Sequence, residues 1–122
     1  MSTTVFQSMN TVLYCRKWRE TVGFYRDLLG LPISFESDWF VEFKICETGF
    51  LSIADERRSR VRSAAGAGVT VTFRVEDADV AHARLGAAGI ERSPVHTHPW
   101  GARLFRFHDP EGHRLEVWSA SA

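Results

Sequence analysis

The stretch NTVLYCRKWRETVGFYRDLLGL at residues 10–31 is matched later in the chain by TVTFRVEDADVAHARLGAAGI at residues 70–90. Both stretches begin with an alternating apolar segment, pass through a charged turn into an amphipathic segment, and end near Gly30 or Gly89. Repetition over this length indicates two copies of one supersecondary unit. The repeat therefore predicts the architecture before any single motif is considered.

The first copy predicts one strand, one helix and three further strands. Period-2 alternation favours a strand at residues 10–15, and apolar residues at helical spacing favour a helix over Glu20–Leu29. Gly30 and Pro32 then prevent the helix from continuing. Shorter apolar segments, separated by turn-forming residues, predict the remaining strands at Ile33–Glu36, Trp39–Ile45 and Phe50–Ala54.

The second copy predicts the same order. A strand over Thr70–Val75 precedes a helix capped by Asp77 or Asp79. The three further strands are predicted at Ile90–Ser93, Arg103–His108 and Arg114–Ser119. Asp109, Pro110, Glu111 and Gly112 lie between the last two strands and have the residue types of a type I turn.

These elements predict an α+β fold with two βαβββ modules in tandem, each a curled mixed sheet with a helix on its outer face. The chain is expected to form a single domain, 1–122, with module one at 1–54, a linker at 55–68 and module two at 69–122. The linker contains several arginines followed by small residues and is expected to be solvated and mobile.

Composition excludes several classes of function. The 122 residues carry no net charge with histidines neutral, and 44% are hydrophobic, which is enough for a packed core. Zero net charge predicts neither a nucleic-acid partner nor an anionic membrane partner. Neither a membrane span nor a signal peptide is expected, and Cys15 and Cys46 lack the spacing of a metal or redox motif. We therefore expect a cytoplasmic protein.

Three segments of the sequence resemble those of a known protein family. GFYRDLLGL at residues 23–31, VTFRVEDADVAHARLGAAGI at residues 71–90 and PWGARLFRFHDPEGHRLEVW at residues 99–118 resemble the vicinal oxygen chelate superfamily, which includes glyoxalases, bleomycin-resistance proteins and dioxygenases. The resemblance spans nearly the whole chain. The segment that begins PWG is similar to bleomycin-resistance-type binding proteins, although it also occurs in other branches.

The resemblance implies four positions for metal ligands. They fall on the first strand of each module, at Asn10 and Thr70, and on the last strand, at Ile53 and Glu116. Only Glu116 is a good ligand, whereas divalent metals in such sites need several imidazole or carboxylate donors. We therefore expect no metal and no cofactor, unless His96 or His98 reaches the site.

Strand alternation predicts which residues face away from the helices. The candidate ligand-binding residues are Asn10, Tyr14, Trp39, Thr70, Thr72, Arg74, His98, Trp100, Arg114, Glu116 and Trp118. Several are aromatic, which suits a small-molecule pocket with a few polar groups. Glu116 is expected near Arg74 and Arg114, either in an ion pair or as an anchor for a ligand. No residue is assigned as catalytic.

The sequence thus predicts a metal-free, homodimeric binding protein that sequesters a planar aromatic or drug-like compound, as antibiotic-resistance members of the family do. The alternative is a metal-dependent lyase, isomerase or dioxygenase of the glyoxalase type that uses Glu116. Elemental analysis distinguishes the two.

Overall fold

The computed structural model describes residues 4–121, and the chain divides into two compact units between Ser63 and Ala64. We call residues up to Ser63 unit one and residues from Ala64 onward unit two. The division lies inside the predicted linker, 55–68. The assignment of the whole chain to a single domain remains a prediction.

Unit one contains a four-stranded mixed sheet with one helical segment. Its elements are β1 (Met9–Cys15), α1 (Trp18–Gly23), β2 (Ile33–Glu36), β3 (Phe40–Cys46) and β4 (Gly49–Asp55). α1 continues directly into a π-helical turn at Phe24–Leu28. The strand order is β1-β4-β3-β2, with β1 parallel to β4 and the other pairs antiparallel.

Unit two repeats this arrangement. Its elements are β5 (Thr70–Arg74), α2 (Ala78–Ala87), β6 (His96–His98), β7 (Ala102–His108) and β8 (Arg114–Ala120). The strand order is β5-β8-β7-β6, and β5 is parallel to β8. The prediction of two tandem βαβββ modules is confirmed. Of the two candidate caps for α2, Asp77 is the residue whose carboxylate accepts hydrogen bonds from the helix N-terminus.

The prediction of a strand over Ile90–Ser93 is wrong, and the strand lies at His96–His98 instead. The backbone N–H of Ile90 donates to the carbonyl of Leu85, so this residue closes the end of α2. Pro94 then offers no N–H for a ladder. Regular pairing with β7 consequently begins only at His96.

Each helix packs on one face of its own sheet. In unit one Tyr25 is fully buried, and its ring centre lies 5.9 Å from that of Phe43 on β3. In unit two the ring of His82 on α2 meets Phe105 of β7 edge-on at 5.1 Å. Phe105 is therefore a core residue beneath the helix. Among residues 4–121, the opposite face of each sheet carries no helix of its own unit.

The first part of the predicted mobile linker is held by specific hydrogen bonds. A 3₁₀ turn spans Glu56–Arg58. The buried carboxylate of Asp55 accepts hydrogen bonds from the backbone and the guanidinium of Arg57. The backbone N–H of Ser63 donates to Glu56 at 2.8 Å. No helix among residues 4–121 is long and apolar enough to cross a membrane.

Candidate ligand-binding faces

Side chains of unit two cross the face opposite α2 in three rows, defined by the strand register. The first row contains Thr70, Arg114 and His108, and the second contains Thr72, Glu116 and Arg106. The third row, which we call the Trp118 row, contains Arg74, Trp118, Leu104 and His96. Alternation along β8 thus places Glu116 on this face and its neighbours Leu115 and Val117 on the helix side, as predicted.

The Trp118 row combines an aromatic plane with a cation. The guanidinium carbon of Arg74 lies 5.0 Å from the centre of the Trp118 ring, which is cation–π geometry. Trp118 is half-buried, so part of its indole surface stays exposed to solvent. The arrangement provides a flat apolar surface beside a positive charge.

Glu116 forms an ion pair with Arg106. The expectation that it lies near Arg74 and Arg114 and pairs with one of them is wrong. The Nε of Arg106 donates to a carboxylate oxygen of Glu116 at 3.3 Å. The two residues lie directly opposite each other on antiparallel strands, where side chains are closest. Arg114 lies one row away, and Arg74 stacks on Trp118.

Unit one has a polar network on the corresponding face. Ser52 donates to the amide oxygen of Asn10 at 2.8 Å, and the amide nitrogen of Asn10 donates to Glu42 at 3.2 Å. Ser34 donates to the other carboxylate oxygen of Glu42 at 2.8 Å. The carboxylate, amide and hydroxyl groups therefore satisfy one another within the unit.

The register corrects the ligand position proposed for β4. Ile53 is fully buried and pairs with Leu13 and Val41, which lie on the helix side of the sheet. Ser52 pairs with Val12 as Glu116 pairs with Thr72, so Ser52 is the counterpart of Glu116. The position expected from the sequence was therefore one residue too late.

These residues do not fit the divalent metal that the fold family implies. The face of unit one offers a hydroxyl, an amide and one carboxylate that already bond to each other, and the only carboxylate in the rows of unit two is paired with Arg106. Within residues 4–121 no group of three or more His, Cys, Asp or Glu is placed to hold a metal ion. Neutral hydroxyl and amide donors compete weakly with water for such ions.

Trp39 of unit one contacts Phe40, and Tyr14 lies in the same row as Phe40, with Ala54 between them. The ring centres of Trp39 and Phe40 are 5.5 Å apart. Phe35 approaches Phe40 from the edge strand at 6.4 Å and is 56% exposed. Unit one therefore has its own partly exposed aromatic cluster.

His98 and Trp100 lie at the outer edge of the sheet of unit two. The ring centres of His96 and His98 are 5.4 Å apart, and those of His98 and Trp100 are also 5.4 Å apart. Trp100 is 76% exposed in the turn between β6 and β7. His96 joins this ladder of rings to the Trp118 row.

Sequence reasoning missed four residues on these faces: Ser34, Glu42, Ser52 and Arg106. Arg106 could have been found, because pairing the two strands on either side of the Asp109–Gly112 turn sets it opposite Glu116. Glu42 and Ser34 gave no such signal, since a bulge interrupts the pairing between β2 and β3. His96 lay outside the predicted strands and lies on β6.

The chain belongs to the Glyoxalase/Bleomycin resistance protein/Dioxygenase superfamily, whose family model matches residues 9–117. This result confirms the resemblance drawn from the sequence.

A curated relative is the uncharacterized protein YraH of Bacillus subtilis (strain 168), which is 27% identical over 87% of this chain and 92% of its own length. A lactoylglutathione lyase structure from Agrobacterium tumefaciens is 25% identical, with a TM-score of 0.77 over 97% of this chain and 96% of the lyase. TnmS3, an antibiotic binding protein from Streptomyces sp. CB03234, is 17% identical, with a TM-score of 0.79 over 98% of this chain and all of its own (100%). The last likeness is one of fold alone.

Proposed function

We propose that the protein is a metal-free binding protein of the bleomycin-resistance type, which sequesters a planar aromatic or drug-like compound. The observation that carries the proposal is the Trp118 row, where an accessible indole lies beside the guanidinium of Arg74. A planar ligand stacking there would gain dispersion contacts with the ring and an electrostatic contact with the cation. Since that cation and the uncommitted Arg114 are positive, a neutral or anionic aromatic compound is favoured over a cationic one.

The hydrogen bonds of Asn10 and Glu116 support a binding function over a catalytic one. Glu116 accepts a hydrogen bond from Arg106, so its carboxylate already has a partner within the sheet. Asn10 bonds to Ser52 and Glu42 and is no metal donor of useful strength. The same fold serves a protein named as antibiotic binding, so the fold is compatible with this use.

The alternative is a metal-dependent lyase, isomerase or dioxygenase that uses Glu116, and one structural relative is a lactoylglutathione lyase at 25% identity. Elemental analysis of the purified protein separates the two proposals. We expect no stoichiometric Zn, Fe, Ni or Mn. A tightly held equivalent that is lost in Glu116→Gln would favour the enzyme.

The binding proposal is tested by a thermal-shift screen of neutral and anionic aromatic compounds, followed by calorimetry on the hits. Aromatic stacking contributes ~1–3 kcal/mol per contact, a range taken from nucleic-acid bases. Trp118→Ala should then weaken binding by roughly 5- to 150-fold.

Trp100→Ala tests the edge ladder in the same assay, since this exposed side chain contributes little to the core. Trp18→Phe is the matched control. Trp18 belongs to unit one, where its indole N–H donates to the carbonyl of Ile53 at 2.9 Å, outside both aromatic faces. Trp18→Phe should leave the affinity of every hit unchanged. If Trp118→Ala also leaves it unchanged, the Trp118 row is not the binding surface.

A further inference from the structure

A separate cleft lies at the first row of unit two, away from the Trp118 row. Its volume is about 390 Å³, and it is lined by the loop at residues 65–69, by Gly112 and by the side chains of Thr70, His108 and Arg114. Side chains two residues apart along a strand are separated by roughly 7 Å. Arg114 and Trp118, four residues apart on β8, are therefore about 14 Å apart along the strand direction.

The lining of the cleft is basic. Arg114 and His108 are directly opposite each other on β8 and β7, and no acidic residue contributes to the lining. Neither side chain makes a hydrogen bond or an ion pair with any residue within 4–121. The nearest carboxylate on the same face, that of Glu116, is already held by Arg106.

Arg114 differs in this respect from Arg92, Arg103 and Arg106 of unit two, which all have hydrogen-bond partners. Arg103 makes two hydrogen bonds to the carboxylate of Asp79, and Arg92 donates to the carbonyl of His82. An unpaired guanidinium offers five N–H donors in a planar fork that matches the oxygens of a carboxylate or phosphate group. The cleft thus contains a guanidinium that has no hydrogen-bond partner within residues 4–121.

The walls of the cleft are supported from below by the Asp109–Gly112 turn. One carboxylate oxygen of Asp109 accepts hydrogen bonds from the backbone N–H groups of Glu111, Gly112 and His113. The loop at residues 65–69 packs closely on this turn. A methyl group added at Gly66 would lie only 2.5 Å from the carbonyl oxygen of Gly112. A receptor held in this way loses little entropy when an anion binds.

We infer that this cleft binds one oxyanion, the carboxylate or phosphate group of a small molecule, with Arg114 as the principal donor and His108 and the hydroxyl of Thr70 as neighbouring donors. The site does not depend on the Trp118 row, since it lies in a different row and neither Arg74 nor Trp118 takes part in it.

The test is a titration of ¹⁵N-labelled protein with inorganic phosphate and, separately, with acetate, at constant ionic strength. We expect the amide resonances of Gly66, Gly68 and Gly112 to shift and saturate with at least one of the two anions. Arg114→Gln should weaken that binding by about 10-fold or more, equivalent to about 1.4 kcal/mol. Arg84→Gln is the control, since it removes the same charge from an exposed position on α2, on the other side of the sheet.

Saturation with phosphate alone assigns the site to phosphate groups, and saturation with acetate alone assigns it to carboxylates. Saturation with both supports a general oxyanion site, provided that Arg114→Gln weakens it and Arg84→Gln does not. Shifts that stay linear with both anions would overturn the inference. So would saturable binding that Arg114→Gln leaves unchanged, or that Arg84→Gln weakens equally.

Discussion

Asp109→Ala is expected to destabilise the protein far more than the same substitution of an aspartate that accepts backbone hydrogen bonds at an exposed position. The Asp109 side chain is fully buried, and that of His113 is 8% exposed. One oxygen of Asp109 accepts three backbone N–H groups at 2.9–3.0 Å, and the other lies 2.8 Å from Nδ1 of His113. The substitution would remove this acceptor from all of these groups, although the N–H of Gly112 also donates to the backbone carbonyl of Asp109.

The magnitude follows from the burial of the partners. A buried donor left unsatisfied costs about 1–3 kcal/mol, and removing one partner of a buried hydrogen-bonded charge costs about 3–5 kcal/mol. Water can reach some of the N–H groups at the turn, so we expect a loss of about 3–5 kcal/mol in the free energy of unfolding and not the full sum. Asp77→Ala removes two hydrogen bonds at the exposed N-terminus of α2 and should cost about 1 kcal/mol.

Urea unfolding of both variants and the wild type measures the difference. Both aspartates belong to unit two, so the comparison holds whether or not the two units unfold together. The expected result is a much lower midpoint for Asp109→Ala at a similar m-value. A loss no greater than that of Asp77→Ala would refute the reasoning, because the buried turn would then contribute no more than an exposed cap.

Three further predictions concern acid, backbone and assembly. Hydrogen bonds from Arg57 chiefly lower the pKa of the Asp55 carboxyl, so its contribution is present above about pH 4 and is lost as the pH falls through the lowered value. The stability difference between wild type and Asp55→Asn should therefore shrink towards about pH 2, and a constant difference argues against this. Gly112→Ala should lower the free energy of unfolding by about 1–3 kcal/mol in the same urea assay, since Gly112 has a φ of 102° and an added methyl would lie 3.0 Å from the carbonyl oxygen of Ala65. The expected homodimer should appear in sedimentation at micromolar concentration, and a monomer there would contradict it.

The architecture was predictable because the pattern occurs twice. The predicted bounds of β2, Ile33–Glu36, are those of the structure, the strand at Thr70 was anticipated, and Asp77 is one of the two caps proposed for α2. The strand β6 was missed because it is three residues long and polar, so neither alternation nor hydrophobicity distinguished it from a loop. Its position depends on pairing with β7, which is a tertiary contact.

The faces of the side chains followed from alternation within each strand, whereas their partners required the strands to be paired. Alternation alone placed Arg114, Glu116 and Trp118 on one side of β8. The partner of Glu116 depends on the register between β7 and β8, which alternation along one strand does not give and which only pairing across the Asp109–Gly112 turn supplies. The same limit explains why Ile53 was proposed where Ser52 lies, since a shift of one residue moves a side chain to the other face.

The register also shows how the two copies of the repeat have diverged. In unit two the second row contains Thr72, Glu116 and Arg106, and the corresponding row of unit one contains Val12, Ser52 and Glu42. The carboxylate of this row is therefore on the last strand in unit two, as Glu116 of β8, and on the antiparallel neighbour of the last strand in unit one, as Glu42 of β3.

In both units the carboxylate is satisfied by its own surroundings, by Arg106 in one case and by Ser34 and Asn10 in the other. A carboxylate bonded within its own sheet has less capacity left for a metal. Arg114 has no such partner within residues 4–121, and the aromatic side chains of these faces keep exposed surface. Both copies of the repeat keep the fold of the superfamily, but their carboxylate, amide and hydroxyl groups bond to one another within each sheet. This arrangement supports the proposed recognition of aromatic and anionic groups over metal-assisted catalysis.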